Sequence, residues 1–271
     1  MPRATPVAAG KSRRGVAGVG RVVLWKGGSV WIGRDMGQVQ PHSHHAIQVT
    51  LSLARRVRIR AAADDAWHEA SATIVMPDRP HLFDGLGHVV AMVFVEPETL
   101  AGRALLARHG QRDVGLLDAG DDGLAQRAAA LHAVFEARGT DAALAQAAQC
   151  VVEHLAAAPV GHDVVDPRIA AVLARIRERP DEKFDLAQAA AVAHLSPSRL
   201  RHLFVAQTGI SFRAYLLWAR VGHAVARGLA GASWTDAAQQ AGFADSAHLS
   251  RTCRRMFGIA PTMLAPEGPA G

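Results

Sequence analysis

The chain has 271 residues, with 30 Lys and Arg against 24 Asp and Glu and a formal net charge of +6. This length accommodates one or two domains. The first twenty residues lack the apolar core of a secretion signal, and the longest apolar run, residues 89–95, is too short to cross a bilayer. Two cysteines exclude a disulfide framework. We therefore expect a cytoplasmic protein with no membrane partner.

The excess positive charge lies in the C-terminal part of the chain. From Arg168 onward there are 13 basic and 7 acidic residues, whereas residues 1–167 contain 17 of each. A basic segment attached to an electrically neutral one is typical of a polyanion-binding module joined to a second domain.

The N-terminal part is predicted to be a basic tail followed by a β domain. Residues 1–20 mix arginine and glycine and are expected to form a flexible tail. From residue 21 to residue 97, short β-type runs alternate with turn signals, which predicts a small antiparallel barrel. The runs are VVLWKGG, VWIGRD, AIQVTLSL, RRVRIRA, TIVMP and VVAMVFV.

Residues 98–160 are alanine-rich and have helical periodicity. One apolar face is formed by Leu144, Ala148, Val151, Val152 and Leu155. We interpret this region as a helical dimerisation region, although such helices also pack within a single chain. Pro159 and Gly161 then indicate a linker. Asp166 followed by Pro167 is the signature of a helix start.

The remainder, residues 161–271, contains an internal repeat. Ala189–Ser211 aligns with Ala237–Ala260 at an offset of 48 residues in the first part and 49 in the second, so one residue is inserted at a turn. Each copy predicts a short helix, a tight turn, a capped second helix and a glycine stop. This is the helix-turn-helix arrangement, in which the second helix enters the major groove of DNA.

These residues resemble the DNA-binding domain of the AraC/XylS family of bacterial transcription regulators. The first copy carries the resemblance at Leu195-Ser196, Leu200, His202, Phe204, Thr208-Gly209-Ile210-Ser211 and Tyr215. The second copy carries it at Ala238, Gly242-Phe243, Leu249, Arg251, Phe257-Gly258-Ile259 and Pro261. The resemblance implies a sequence-specific regulator that binds double-stranded DNA and acts on RNA polymerase.

Helical geometry separates buried from DNA-facing positions in the two recognition helices. The outward positions are Ser198, Arg201, His202, Ser246, Ala247, Ser250, Arg251 and Arg254. Among these the family resemblance favours all but Ser250 and Arg254 as base-facing, since arginine pairs bidentately with guanine. Arg213, Arg220, Arg254 and Arg255 are candidates for phosphate contacts or for solvated surface charges.

The N-terminal segments GQVQPHSHHAIQVTLSL and IVMPDRPHLFDG resemble the cupin barrel that often precedes this DNA-binding domain. The resemblance places His42, His44 and His81 where cupins have metal ligands, with Gln48 at the position of the usual acid. These residues are therefore candidates for a zinc or nickel site, for a small-molecule effector site, or for polar residues without a ligand. His45 is expected to face outward.

The sequence thus predicts an α+β protein: a cupin-like antiparallel β-barrel, a helical linker region, and an all-α domain with two helix-turn-helix motifs. We expect a homodimeric, effector-sensing regulator with no catalytic residues. One alternative is a metal-dependent cupin enzyme with an accessory helical domain, which would need the carboxylate that Gln48 replaces. The other is a nonspecific DNA-compacting protein, which the modest charge disfavours.

Overall fold

The computed structural model of the chain describes residues 18–53, 55–64, 66–117 and 120–266. The predicted tail, residues 1–20, overlaps the first strand by Gly18, Val19 and Gly20, and the rest of it lies outside the described residues. Within the described ranges the chain forms nine strands and nine α-helices. None of these helices combines the length and apolar character that a membrane crossing requires.

The strands lie mainly in the N-terminal part of the chain. They are β1 (Gly18–Trp25), β2 (Gly28–Gln38), β3 (Ile47–Ser52), β4 (Val57–Ala61), β5 (His68–Ala70), β6 (Ala72–Val75), β7 (His81–Val95), β8 (Val114–Leu116) and β9 (Leu264–Pro266). They form one sheet in the order β8-β6-β3-β7-β2-β1-β9, and β4 pairs with both β5 and β7. The neighbours pair antiparallel except β1 and β9, which run parallel. The predicted α+β class is confirmed, with an antiparallel-rich sheet where an antiparallel barrel was predicted.

The helices follow the predicted order. They are α1 (Leu100–His109), α2 (Asp122–Glu136), α3 (Asp141–Ala156), α4 (Pro167–Glu178), α5 (Leu186–Val192), α6 (Pro197–Thr208), α7 (Phe212–Leu229), α8 (Trp234–Gln240) and α9 (Ser246–Phe257). The first helix-turn-helix unit is α5–α6 and the second is α8–α9. The turn within the second unit is one residue longer, which accounts for the change of offset in the repeat.

The sheet lies between two groups of helices because side chains alternate along each strand. On β7, Val93 and Val95 pack with α1–α3, whereas Val90 and Phe94 pack with α7–α9. The apolar face of α3 that includes Leu144 is buried against the sheet. This face is therefore occupied within one chain, and the predicted dimer contact requires another surface.

The two helix-turn-helix units differ in how they are packed. The first unit has a core of its own, formed by α4–α6 and the N-terminal half of α7. The second unit shares its core with the sheet domain, since Phe257 and Ile259 pack in one cluster with Phe83 and Phe94. The final strand, β9, also joins the sheet beside β1. The predicted domain boundary near residue 160 agrees with the core of the first unit, but the core of the second unit contains residues from both sides of that boundary.

Candidate effector site and DNA interface

The first recognition helix, α6, presents its predicted DNA-facing residues to solvent. Ser198, Arg201 and His202 are exposed, whereas Leu200 and Phe204 are buried. Ser196 caps the helix, since its side chain accepts a hydrogen bond from the Arg199 backbone N–H at 3.3 Å. The local pattern of a serine cap and two inward apolar residues therefore fixes which side of α6 is available to DNA.

The second recognition helix, α9, has the same organisation. Ala247, Arg251 and Arg254 are exposed, and Ser246 and Ser250 are half-buried. The Asp245 carboxylate caps this helix by accepting from the His248 backbone N–H at 2.6 Å. Within the described ranges, neither Arg251 nor Arg254 forms an ion pair with a carboxylate, so both guanidinium groups are available for DNA.

Arg220 is not available for a phosphate contact. Its guanidinium group donates to the backbone carbonyls of Pro180 and Glu182, at 2.9 Å each. These bonds fasten α7 to the segment between α4 and α5. The sequence shows that residue 220 is charged but not which groups its side chain contacts. Because these groups are backbone carbonyls of the same chain, Arg220 has a structural role.

The structure brings His42, His44 and His81 together. One ligand atom from each lies within 4.8 Å of the others, and all three side chains are buried. The ring centroids of His42 and His81 are 4.2 Å apart, and the His44 ring lies 5.2 Å from that of His81. His42 precedes β3 and His81 begins β7, and a backbone bridge between these two residues holds their loops together.

Backbone carbonyls orient all three imidazoles. The Nδ1 atoms of His42, His44 and His81 lie 2.8, 2.9 and 2.8 Å from the carbonyl oxygens of Gln40, Ala46 and Arg79. Because a carbonyl oxygen only accepts, each Nδ1 carries the proton and each Nε2 keeps its lone pair. The Nε2 atom of His81 is buried without a hydrogen-bond partner. Such tethering of one ring nitrogen is typical of metal-binding histidines.

Gln48 lies on β3 and contacts the cluster. Its Oε1 atom is 2.9 Å from His44 Nε2, and its Nε2 atom is 2.9 Å from the Thr50 hydroxyl. In neutral His44 the Nε2 atom is an acceptor, as is Gln48 Oε1, and two acceptors cannot share a hydrogen bond. The oxygen and nitrogen of the Gln48 amide must therefore be exchanged. In that orientation Gln48 donates to His44 and accepts from Thr50. Gln48 therefore hydrogen-bonds to one imidazole and does not supply the carboxylate that cupins usually have at this position.

Burial keeps the three imidazoles neutral. Desolvation, followed by repulsion from His81, lowers the pKa of His42 to about 3. The pKa of His44 is lowered well below its usual value by burial and by both neighbouring histidines, and burial lowers the pKa of His81. Neutral imidazole is the form that coordinates metal ions.

The space beside the cluster is small and apolar. A cavity of about 40 Å³ adjoins His42 and Gln48, and its walls include Phe83, Phe94 and Phe257. Sites for drug-sized organic ligands occupy roughly 300–1,000 Å³. The cavity therefore suits an ion or a water molecule.

A larger cleft lies between the sheet and α7. Its volume is about 460 Å³, and its lining includes Trp25, Trp31 and Trp218. This volume is within the range of sites that hold small organic ligands. These two spaces are separate, and the smaller suits an ion whereas the larger suits an organic molecule.

His45 was expected to face outward, and that expectation is wrong. The side chain is buried, and its Nε2 atom lies 3.1 Å from a Glu98 carboxylate oxygen. The pairing with Glu98 compensates for the loss of water around the imidazole, which explains why a polar side chain is stable in this position.

Glu98 belongs to a buried polar network that joins the sheet domain to α4 and α7. In this network Glu96 contacts Arg177 and accepts from the Tyr215 hydroxyl at 2.9 Å, and Arg177 also pairs with Asp163. Burial, opposed by Arg177, raises the pKa of Glu96. The network is one polar contact between the N-terminal part and the first helix-turn-helix unit, and a second is the hydrogen bond from Arg103 to the Gln207 carbonyl at 2.8 Å.

The sequence does not reveal this network because its members are far apart. His45 and Glu98 are separated by 53 residues, and Glu96 and Tyr215 by 119. No short motif contains both members of either pair. The local signal is a pair of glutamates next to a buried strand, which alone does not identify a partner.

Comparisons with known proteins agree with this architecture. Residues 189–265 match the family model of a helix-turn-helix domain. No curated protein is significantly similar to the chain. An apo variant of ToxT from Vibrio cholerae is 10% identical with a TM-score of 0.57, and the match covers 89% of this chain and 97% of that chain. A second ToxT structure from the same organism is 13% identical with a TM-score of 0.55, and covers 88% and 96%.

The DNA-binding domain of AdpA, solved in complex with a target DNA, is also similar. It is 30% identical over 35% of this chain and 86% of that chain, with a TM-score of 0.33. The likeness to ToxT, at low sequence identity, shows a shared fold for most of the chain. The family model identifies the C-terminal domain within that fold.

Proposed function

From the premise that this chain is a transcription regulator with an AraC-type helix-turn-helix domain at its C-terminal end, we propose that its effector is a divalent metal ion held by His42, His44 and His81. The observation that carries this proposal is the set of three buried, neutral imidazoles whose Nδ1 atoms are all tethered to carbonyl oxygens. The Nε2 lone pairs of His42 and His81 are left for coordination, and that of His81 has no other partner among the described residues.

The donor set fits zinc. Zinc is commonly bound by three imidazoles with a fourth position open to another ligand. Release of His44 from Gln48 frees the third lone pair, which the rotatable amide of Gln48 permits. Bound metal would supply a fixed positive centre that holds the two histidine-bearing loops together.

A metal-dependent enzyme fits this site less well than a sensor does. The adjoining cavity of about 40 Å³ is smaller than a substrate site, and no carboxylate lines it in the part of the chain that the structure describes. The cavity therefore offers no carboxylate as a general acid or base, which is one of the side chains that serve in that role.

DNA recognition is assigned to the exposed faces of α6 and α9. The two helices are joined by α7, so they address two major-groove segments one helical turn, ~34 Å, apart on the same face of the duplex. Arg251 and Arg201 supply the arginine contacts to bases. Smaller contacts come from Ser198, His202, Ser246 and Ala247, and Ser250 and Arg254 border the same surface.

A second effector candidate is an organic molecule in the cleft of about 460 Å³ between the sheet and α7. The indole rings of Trp25, Trp31 and Trp218 give this cleft an apolar wall with room for a ligand. One solved structure of ToxT from Vibrio cholerae contains an unsaturated fatty acid. A change in tryptophan fluorescence on addition of such a fatty acid, smaller in Trp218→Ala than in wild type because Trp25 and Trp31 remain in the cleft, tests this alternative.

The remaining partners are proposed on the family resemblance. The protein acts in the cytoplasm as a homodimer that contacts RNA polymerase. The buried face of α3 is already used within one chain, so the dimer contact is assigned to the exposed side of α2 and α3.

Elemental analysis of the purified protein tests the metal proposal. We expect about one zinc ion per chain in wild type and little zinc in His42→Ala/His44→Ala, because two of the three ligands are lost. His68→Ala removes an exposed histidine outside the cluster and serves as the control. A wild-type protein that takes up no zinc after dialysis against it would contradict the proposal.

A further inference from the structure

We propose that the segment Gln40–His44 transmits occupancy of the histidine cluster to the second helix-turn-helix unit and not to the first. The inference rests on the proposed metal function, since this segment carries two of the three ligands. It concerns which part of the DNA-binding domain the sensor site controls.

Backbone hydrogen bonds join this segment to the C-terminal end of α9. The Gln40 N–H donates to the Gly258 carbonyl at 3.1 Å, and the Ser43 N–H donates to the Arg255 carbonyl at 3.5 Å. The contact is close: a Cβ atom added to Gly258 would lie 2.3 Å from the Gln40 carbonyl oxygen. The loop that carries His42 and His44 therefore cannot shift without displacing the end of α9.

Ring contacts extend the connection into the shared core. The His44 ring lies 6.2 Å from the Phe257 ring and 6.0 Å from the Trp218 ring, measured between centroids. Phe257 in turn stacks on Trp31 at 4.3 Å. Phe257 is the last residue of α9, so the imidazole that would bind metal packs directly against the second recognition helix.

The first unit has no comparable contact with a metal-binding histidine in the described part of the chain. Its core of Leu200, Phe204 and Phe212 excludes residues of the sheet. It is joined to the sheet domain through Glu96 and Arg177, and Glu96 follows β7 at the end opposite His81. The adjoining His45 reaches this network through Glu98, and its ring lies 5.7 Å from that of Tyr215 in the core of the first unit, but His45 is not a member of the cluster.

The histidine loops also border the DNA-facing surface of α9. The Asp78 N–H donates to the His44 carbonyl at 2.8 Å, which joins the loop before His81 to the loop that carries His42 and His44. Ser43 and Asp78 line a cleft of about 600 Å³ whose other wall includes Arg251 and Arg255. A change in the position of these loops therefore occurs beside Arg251, which is proposed to contact bases.

The physical consequence is that bound metal stabilises α9 and leaves α6 unaffected. Coordination by three imidazoles restricts the two loops, and restricting them restricts the end of α9 that they contact. Linkage requires the reverse effect as well. DNA binding must change the affinity for zinc by the same factor by which zinc changes the affinity for DNA.

Hydrogen–deuterium exchange of the full-length protein, measured by mass spectrometry with zinc or with EDTA, tests this inference. We expect zinc to slow exchange several-fold in residues 40–45 and in α9, and to leave α6 unchanged. In Phe257→Leu, compared with wild type at saturating zinc, much of the protection in α9 should be lost. The matched control, Phe204→Leu in the core of the first unit, should retain it.

Native mass spectrometry of the same samples separates the outcomes. If no zinc is bound, the proposed function itself fails and this inference fails with it. If zinc is bound while exchange in α9 is unaltered, or slows equally in α6 and α9, the route through Gln40–His44 is wrong. Loss of zinc-induced protection in Phe204→Leu would also overturn it.

Discussion

Arg251 lies on the exposed face of α9 with no carboxylate partner in the described ranges, so its guanidinium group is available for a guanine base. Arg251→Ala should weaken binding to a DNA duplex selected by the wild-type protein by about 1–3 kcal/mol and relax base preference at one position. Arg112→Ala removes an exposed arginine outside the DNA-binding domain and provides the control. Competition binding with single-base variants of the duplex measures both effects. Equal losses for the two substitutions would refute a base contact.

At the scale of single residues, the sequence predicts burial correctly where a residue belongs to a helix with a regular apolar period. Leu200, Leu249 and Cys253 are buried as the period predicts, because positions three or four apart share a face. The convergence of His42 and His81 was predictable only from the family resemblance. The burial of His45 was not predictable, since its carboxylate partner is contributed by a distant segment.

The two recognition helices end in the same way but in different surroundings. Gly209 and Gly258 both have left-handed backbone conformations, with φ of +82° and +71°. A Cβ atom at Gly209 would have no neighbour within 4 Å, whereas one at Gly258 would overlap the Gln40 carbonyl oxygen. These glycines are therefore a matched pair that separates backbone strain from steric contact with the sheet domain.

Gly209→Ala should lower the free energy of unfolding by about 1–2 kcal/mol, the cost of a left-handed alanine. Gly258→Ala should cost about 1–3 kcal/mol more, because the loop at Gln40 must move. Urea denaturation followed by circular dichroism measures the two values. Equal losses of stability would show that α9 does not press against the histidine loop.

Elements with local signals were predicted well. The caps at Asp166, Ser196 and Asp245 and the glycine stops follow from side-chain chemistry within a few residues. Strand β9 was not predicted, because three residues carry no alternating pattern and the partner strand β1 lies at the other end of the chain. Sheet pairing of this kind depends on tertiary contacts that a local window does not contain.

At the scale of the whole molecule, the shared core limits the independence of the DNA-binding domain. The distribution of charge predicts a polyanion-binding module in the C-terminal part of the chain, and a separable module would bind DNA as a fragment from Asp166 onward. In the structure, Phe257 and Ile259 pack against the sheet, so removal of the sheet exposes them to water. We expect the first unit to fold in such a fragment and the second unit to be largely unfolded.

Alkylation of Cys253 measures this difference. In the full-length chain burial raises the pKa of Cys253 to about 12, which leaves little reactive thiolate at neutral pH. We expect slow labelling in full-length Cys150→Ser and rapid labelling in the fragment, where Cys253 is the single cysteine. Equally slow labelling in both would show that the second unit folds without the sheet.

The pairing of β1 with β9 places Gly18 beside Leu264, one strand spacing, ~5 Å, apart. The beginning and the end of the described fold thus meet at one edge of the sheet. A short covalent connection there, with a new opening at the linker glycine Gly161, would give a circular permutant in which the DNA-binding half precedes the sensing half. The order in which the two halves are synthesised is therefore not a requirement of the architecture.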